Sequence, residues 1–154
     1  MTGGGGGLSG LYARPSWQQG FGVDNAESNG MRQLPDVAAA ADPTSGFAIE
    51  YTEPAAGGLT SATVGGTSAA TPLWAAAMVL VRQLAESSGI DGLGVLGPTL
   101  YEIAAEQAPG AVFHDVIRGG NLLHEASPGW DYATGLGTPR VGPLANAIVE
   151  FLSR

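Results

Sequence analysis

Apolar residues recur at helical spacing in three segments of the chain. The strongest pattern predicts a helix over residues 72–86, with apolar side chains three or four positions apart at Leu73, Trp74, Ala77, Leu80, Val81 and Leu84. Pro72 suits the first turn of this helix, where a missing N–H costs nothing, and Gly89 follows as a stop signal. Residues 99–107 and 143–152 predict two shorter helices.

Short strands are predicted where apolar and β-branched residues cluster, at residues 46–51 and 59–64. Residues 111–116 predict a buried strand or extended segment. The Gly-, Ser- and Asn-rich residues 1–34 indicate loop and extended structure, and residues 122–137 are mostly loop. Residues 3–7 are all glycine and could form either a flexible linker or backbone lining a cleft. Alternation of strands and helices with short turns predicts part of an α/β layered fold, and the 154 residues contain no clear domain boundary.

Composition restricts the partners of the chain. Charged residues are 13% of the total, all six cationic residues are arginine, and the net charge is −8. This balance argues against nucleic acid or an anionic membrane surface as a partner. It fits a protein that works in acid, although composition alone favours an ordinary acidic soluble protein. Cysteine is absent, which excludes disulfides and thiolate metal sites.

We expect neither a membrane span nor a targeting segment within these residues. No apolar run reaches the length that crosses a bilayer. The N-terminal residues have neither a basic region nor an apolar one, so we expect no signal peptide in this chain.

A small-residue turn, Gly65-Gly66-Thr67-Ser68-Ala69-Ala70-Thr71-Pro72, carries a serine into the predicted main helix. Unpaired N–H groups and the positive end of the helix dipole would favour Ser68 as a nucleophile. The simpler interpretation is that Ser68 is a helix N-cap. A serine nucleophile also needs a base, and the chain has only His114 and His124, both after Ser68. An α/β-hydrolase would require Gly-x-Ser-x-Gly, which is absent here.

Two aspartates, Asp115 and Asp131, lie 16 residues apart on irregular backbone rich in glycine and proline. Carboxylate oxygens together with backbone carbonyls are the ligand set that Ca²⁺ prefers. Loop aspartates also commonly cap turns, so the residues alone leave both roles open.

The order of several motifs resembles one family. Gly-Thr-Ser-x-x-x-Pro is shared by subtilisins and sedolisins, the serine-carboxyl peptidases. The later segments His114-Asp115-Val116-x-x-Gly-x-Asn121 and Gly129-Trp130-Asp131-x-x-Thr-Gly-x-Gly-x-Pro139 resemble the C-terminal region of sedolisins only. Pro35-Asp36-Val37 with Ala41-Asp42-Pro43, and residues 4–8 with Pro15-Ser16-Trp17-Gln18, resemble further sedolisin segments. The resemblance covers essentially the whole chain.

The resemblance implies a role for each matched residue. Ser68 corresponds to the nucleophile, and Asp115 and Asp131 to side-chain ligands of a Ca²⁺ site. Val116, Ser127 and Gly129 correspond to the positions whose carbonyls complete that site, and Ser127 stands where relatives often have glycine. Asp36 and Asp42 are interpreted as structural. The implied fold is the C-terminal portion of a subtilisin-like, parallel-sheet layered α/β fold.

The resemblance also implies catalytic residues of the family that have no counterpart in this chain. The family's Glu base, the Asp that orients it and the oxyanion Asp lie upstream of the matched region, and none of the glutamates here corresponds to the base. We therefore expect a single partial peptidase domain, 1–154, divided into a Gly-rich region (1–34), strands, nucleophile turn and helices (35–110), a calcium-binding loop region (111–139) and a terminal helix (140–154).

The motifs and the resemblance leave three candidate functions for the chain. The first is a peptidase portion that acts on polypeptides only with the N-terminal part of the same domain, in a secreted, acid-acting enzyme. The second is a non-catalytic calcium-binding or interaction domain derived from a peptidase. The third is a hydrolase using His114 or His124. Substrate specificity, and endopeptidase against tripeptidyl-peptidase action, are not encoded in these motifs.

Overall fold

The computed structural model describes residues 4–55 and 57–154, with six strands and three helices among them. In chain order they are β1 (Gly7–Ala13), β2 (Met31–Leu34), β3 (Phe47–Thr52), β4 (Leu59–Val64), α1 (Thr67–Ser87), α2 (Leu96–Glu106), β5 (Phe113–His114), β6 (Thr138–Pro139) and α3 (Val141–Leu152). The mixture of strands and helices confirms the predicted α/β class. No helix in these ranges is both long and apolar enough to cross a membrane.

The strands form three separate antiparallel pairs, β1 with β2, β3 with β4, and β5 with β6. The predicted strands 46–51 and 59–64 are the β3–β4 hairpin, paired from Phe47 with Val64 to Thr52 with Leu59. Their short connection permits only antiparallel pairing, because a parallel pair needs a crossover of a dozen residues or more. Within the described residues the chain therefore supplies hairpins, and the parallel sheet of the implied fold is not formed among them.

All three helices begin earlier than the sequence predicts. Each proline that marks a predicted start lies inside its helix, with Pro72 the sixth residue of α1 and Pro98 and Pro143 the third residues of α2 and α3. The placement of Pro72 in the first turn is therefore wrong. The first four N–H groups of a helix have no internal acceptor, so proline is tolerated through that turn. Pro72 lies just beyond it and removes one helical hydrogen bond.

Helix α1 has apolar side chains on two opposite faces. Ala77, Val81 and Ala85 are buried, on a helix that packs against α3. Val79 and Leu80, in contrast, are 65% and 62% exposed. A helix that is apolar all round normally has packing partners on both sides. The described residues cover one face of α1 and leave the other open.

Helix α3 joins the C-terminal half of the structure by packing against both α1 and α2. The core between these elements is formed by Val81, Leu100, Ile103, Val112, Phe113, Leu144, Ala145 and Ile148. Burial of these side chains supplies the main stabilisation of the helical layer.

The N-terminal half is held by a buried polar network rather than by an apolar core alone. The Gln18 side chain donates to the Gln33 carbonyl at 2.7 Å and to the Tyr101 hydroxyl at 3.0 Å, and it accepts the Gln33 N–H. Tyr101 donates in turn to Asp36 at 2.9 Å, and Asp36 also pairs with Arg32. The network links β2 to α2, across a long sequence separation. Burial, followed by the nearby Asp36 charge, raises the pKa of Tyr101 well above its usual range.

The loop after α2 approaches the N-terminal segments backbone to backbone, through glycines. A Cβ would lie within 2.4 Å of a facing atom in each of these four contacts, which are Gly6 with Tyr132, Gly22 with Trp130, Gly129 with Phe21 and Gly135 with Asp36. We call this set the glycine interlock. It places the loop 115–137 against residues 6–36, although the two lie far apart in sequence.

Gly22→Ala tests the interlock. A Cβ at Gly22 would lie 2.2 Å from the Trp130 carbonyl oxygen on backbone of positive φ. We expect the free energy of unfolding to fall by about 3 kcal/mol, from the clash together with the strained φ. Gly30→Ala is the matched control, because Gly30 has a similar φ and no heavy atom within 4 Å of the added Cβ. The control should lose about 1 kcal/mol. Equal losses in urea denaturation would contradict the interlock.

Tyr101→Phe tests the polar network. The loss of the hydroxyl leaves Asp36 and Gln18 each without one buried partner, so we expect a destabilisation of about 1–3 kcal/mol. Because the pKa of Tyr101 is raised in the folded protein, its contribution is present below about pH 10, the ordinary tyrosine value, and is lost as the pH rises further. The wild type should therefore lose more stability above that pH than the variant. Tyr12→Phe, on a side chain 71% exposed, should leave the alkaline profile unchanged.

Candidate active site

Ser68 is the second residue of α1 and is exposed. The N-cap of the helix is Gly66, with φ 88°, and no side chain caps it by a hydrogen bond. The interpretation of Ser68 as an N-cap is therefore wrong, because the N-cap position is occupied by Gly66, two residues before the serine. Ser68 instead occupies the first turn, where backbone N–H groups lack internal acceptors and the helix dipole is positive.

Pro72 and Trp74 set the surroundings of the serine turn. Pro72 lies four residues after Ser68, so its nitrogen cannot donate to the Ser68 carbonyl as a helical residue would. The Trp74 indole N–H donates to the Ala38 carbonyl at 2.9 Å, which fixes the first turns of α1 to the segment after β2. Gly66 also donates to the Ala41 carbonyl. The serine is thus presented on a turn attached to residues 38–41.

Two open cavities flank the serine turn. One, of about 560 Å³, is lined by Ser68 itself and by the apolar side chains of Phe47, Val64 and Leu73. The other, of about 990 Å³, reaches from Gly66 and Thr67 to the loop near Val116 and also borders Gly4 and Gly5. Of the two roles considered for the glycine run, Gly4 and Gly5 thus line a cleft, and Gly3 lies outside the described residues.

The two histidines are engaged away from Ser68. The His124 ring stacks against Tyr132 with centroids 4.8 Å apart and lies 3.5 Å from a Glu27 carboxylate oxygen. His114 is exposed on β5, paired with Thr138. In the part of the chain that the structure describes, neither ring is hydrogen-bonded to the serine. The arrangement gives no support to a histidine-based nucleophile.

Asp115 has one carboxylate oxygen that is satisfied and one that is not. Its Oδ2 accepts the Gly129 N–H at 2.8 Å. Its Oδ1 is buried and has no hydrogen-bond partner. A buried carboxylate oxygen without a donor is costly, and a cation would satisfy it. This orphaned atom fits the cation site that the resemblance implies.

Asp131 is buried and organises the turn that follows it. Its Oδ1 accepts the N–H groups of Ala133 and Thr134, each at 2.8 Å, and its Oδ2 accepts the Ser127 N–H at 2.9 Å. Both of its oxygens are thus occupied as turn caps. Oδ1 already accepts two N–H groups, whereas Oδ2 accepts one and has a second lone pair, so capping and cation binding are compatible at Oδ2.

The three expected carbonyl positions lie beside these aspartates. Ser127 and Gly129 are tied to Asp131 and Asp115 through their own N–H groups, and Val116 directly follows Asp115. No cluster of three or more His, Cys, Asp or Glu side chains suited to a metal occurs within 4–55 and 57–154. A site here would depend on two carboxylates and backbone carbonyls.

Asp36 and Asp42 take structural positions. Asp36 joins the buried polar network. Asp42 accepts the Thr44 N–H and hydroxyl, both at 2.8 Å, and these bonds, the backbone one first, hold the pKa of that carboxyl below its usual range.

Sequence reasoning missed three contributors to the loop. Asn121 accepts from the N–H groups of Leu123 and His124 and donates to the Tyr132 carbonyl, so it shapes the tip of the loop. Its place in the quoted Gly-x-Asn segment could have indicated this. The Thr134 hydroxyl bonds Asp131, and Phe21 lies over Gly129. Nothing in the sequence pairs Phe21 with a residue more than a hundred positions away.

Comparison with known proteins gives relatives over nearly the whole chain. No protein-family model matches it. It is 38% identical to kumamolisin of a Bacillus species over 97% of its own length, 34% to tripeptidyl-peptidase sed1 of Aspergillus fumigatus over 95%, and 31% to human tripeptidyl-peptidase 1 over 95%. It spans about a quarter of the length of these curated relatives, from 25% to 27%.

The fold matches the same group. Pseudomonas sedolisin, a serine-carboxyl proteinase solved with two molecules of pseudo-iodotyrostatin, superposes with a TM-score of 0.74 at 28% identity, over 94% of this chain and 36% of that one. Sequence and structure thus point to the same family. The chain belongs to the sedolisin family, as the homologue of about one quarter of its kumamolisin and tripeptidyl-peptidase relatives.

Proposed function

We propose that this chain supplies the nucleophile and a calcium site to a secreted, acid-acting serine-carboxyl peptidase. The observation that carries the proposal is the position of Ser68, exposed in the first turn of α1 beside an open cavity, in a chain homologous to peptidases. The substrate would be a polypeptide, lying across the serine turn.

The proposed reaction needs one ionised and one neutral carboxyl group. An ionised carboxylate from outside the 154 residues accepts the Ser68 proton as Oγ bonds to the scissile carbonyl carbon. A protonated Asp, also from outside, donates to the oxyanion, and the free Ser68 N–H is placed to donate as well. The C–N bond then breaks, the amine leaves with the proton from the base, and water hydrolyses the acyl-enzyme. Such a pair of carboxyls operates together in acid.

The exposed face of α1 supports dependence on an upstream segment. Val79 and Leu80 are open to solvent on a helix whose other face is buried, and apolar surface of this kind marks a contact with another element. We infer that the N-terminal part of the same domain covers this face. It would bring the base to Ser68 in the same contact.

Calcium is proposed for the loop between Asp115 and Asp131. The buried, unpartnered Oδ1 of Asp115 supports it, together with the hard oxygen donors nearby. Asp115 and Asp131 would hold the ion with the carbonyls of Val116, Ser127 and Gly129. When bound, the ion would balance buried negative charge and keep the loop in place. A non-catalytic calcium-binding domain is the second candidate, since the same loop supports it without a base for Ser68.

Activity is tested on the chain alone and after its exchange into the catalytic domain of a relative. The chain alone, assayed at about pH 4 with Ca²⁺, should show no serine-dependent cleavage, because the residual catalysis of an incomplete site is orders of magnitude weaker. The same region placed in the kumamolisin catalytic domain, in exchange for the matched residues, should be active. Ser68→Ala should then lower kcat/KM by about 10⁴-fold or more.

Two controls separate the candidates. Ser87→Ala changes an exposed serine at the far end of α1 and should leave kcat/KM unchanged. Replacing both His114 and His124 should also cost little. Cleavage by the chain alone that needs Ser68 would contradict the requirement for an upstream base. A folded but inactive exchange protein would favour the non-catalytic domain.

Calcium binding is tested by thermal unfolding of the chain with Ca²⁺ and with a chelator. A ligand at 100 times its Kd stabilises by about 2.7 kcal/mol, which corresponds to a rise in Tm of about 5–10 °C for a chain of this size. Asp115→Asn keeps the shape of the side chain but removes its charge, and should abolish most of the rise. Asp91→Asn, on an exposed residue, should keep it. Wild-type protein without a calcium-dependent Tm would refute the site.

A further inference from the structure

Phe21 is an exposed aromatic residue with a fixed contact. Its side chain is 79% exposed, yet its ring lies against the backbone of Gly129. A Cβ on Gly129 would lie 2.4 Å from Phe21 Cδ1 and 2.8 Å from the Phe21 carbonyl oxygen. Only glycine permits this approach. The ring therefore covers one of the backbone positions proposed to bind calcium, while facing solvent on its other side.

The backbone of Phe21 fixes the peptide group between Gly129 and Trp130. The Trp130 N–H donates to the Phe21 carbonyl at 2.9 Å. This peptide bond is trans, so the Gly129 carbonyl points in the opposite direction from that N–H, away from Phe21. The preceding peptide is fixed as well, because the Gly129 N–H donates to Asp115 at 2.8 Å. Both peptide groups flanking Gly129 thus have set orientations.

Gly22 completes the contact on the other side of Phe21. Its Cα packs on the Trp130 backbone, where a Cβ would lie 2.7 Å from the nitrogen and 2.2 Å from the carbonyl oxygen. Phe21 and Gly22 therefore contact consecutive residues of the loop. The indole N–H of Trp130 donates to the Pro35 carbonyl, which anchors the same loop residue from a third direction.

The geometry points to Phe21 as a positioning residue for the calcium loop, an inference that rests on the proposed calcium site. Its carbonyl sets the direction of the Gly129 carbonyl, and its ring keeps that peptide from turning toward solvent. A carbonyl already oriented pays no ordering cost when the ion binds, so preorganisation raises affinity. Because the ring is mostly in water, its removal should cost the ion-free fold little apolar burial.

Phe21→Ala in the 154-residue chain separates affinity from stability. Calcium binding is measured by isothermal titration, and Tm is measured with Ca²⁺ and with a chelator. We expect the Kd for Ca²⁺ to rise about 10-fold, the smaller end of the effect of removing a group that supports a metal ligand, because the variant loses the ring and keeps the Phe21 carbonyl. Phe21→Tyr keeps the ring and should restore the wild-type Kd. Leu11→Ala, at a side chain 86% exposed, is the matched control for loss of an exposed apolar group.

The outcomes distinguish this inference from the calcium proposal itself. An unchanged Kd in Phe21→Ala, with calcium bound by the wild type, overturns the role of Phe21 and leaves the calcium site standing. A fall in the ion-free Tm with an unchanged calcium increment shows a purely structural residue and also overturns it. If the wild type binds no calcium, both fail. If Phe21→Ala does not fold, Phe21→Leu is measured in the same way, and only a raised Kd supports the inference.

Discussion

The glycine interlock is the constraint on which the rest of the structure depends. The loop 115–137 and the segments 6–36 approach until backbone contacts backbone, which side chains larger than hydrogen would prevent at four positions. This approach brings Trp130 and Tyr132 into a buried cluster with Val23 and Tyr101. It also holds Asp115 and Asp131 in an enclosed setting rather than on a free loop. The proposed metal site is therefore a product of long-range packing.

Local pattern and turn chemistry accounted for much of the fold. The three helices, the β3–β4 hairpin and the loop-rich C-terminal region were predictable because each has a short-range signal. The starts of the helices were not predictable, because a proline in the sequence indicates a helix boundary although the first turn of a helix tolerates it. Pro72, for example, lies about a turn and a half into α1. The β1–β2 pair was foreseen only as extended structure, since its register is interrupted between Leu8 and Ala13.

The candidate site likewise contains residues that the sequence indicates and supporting residues that it does not. Ser68, Asp115 and Asp131 could be selected from sequence because each stands in a motif of fixed spacing. Gln18 and Gln33 could not, because polar residues in a glycine-rich stretch look like solvent-exposed loop, yet both are fully buried. The Gln18 side chain bonds Tyr101 and the Gln33 side chain bonds Tyr132, partners that only the folded chain brings near. Candidate catalytic and metal-binding residues are thus easier to infer from sequence than the residues that hold them in position.

The buried part of α1 lies far along the helix from the serine turn, so a small tilt of the helix moves the turn by a larger distance. The buried residues Ala77, Val81 and Ala85 lie at the middle of the helix or beyond it. Ser68 precedes Val81 by 13 residues, or about 20 Å along the axis, so a tilt of about 5° there would displace the hydroxyl by nearly 2 Å. Displacements of about 1 Å can cost about 100-fold in rate. The hydrogen bonds from the Trp74 indole to Ala38 and from the Gly66 N–H to Ala41 therefore restrain a movement that is large compared with their small energies.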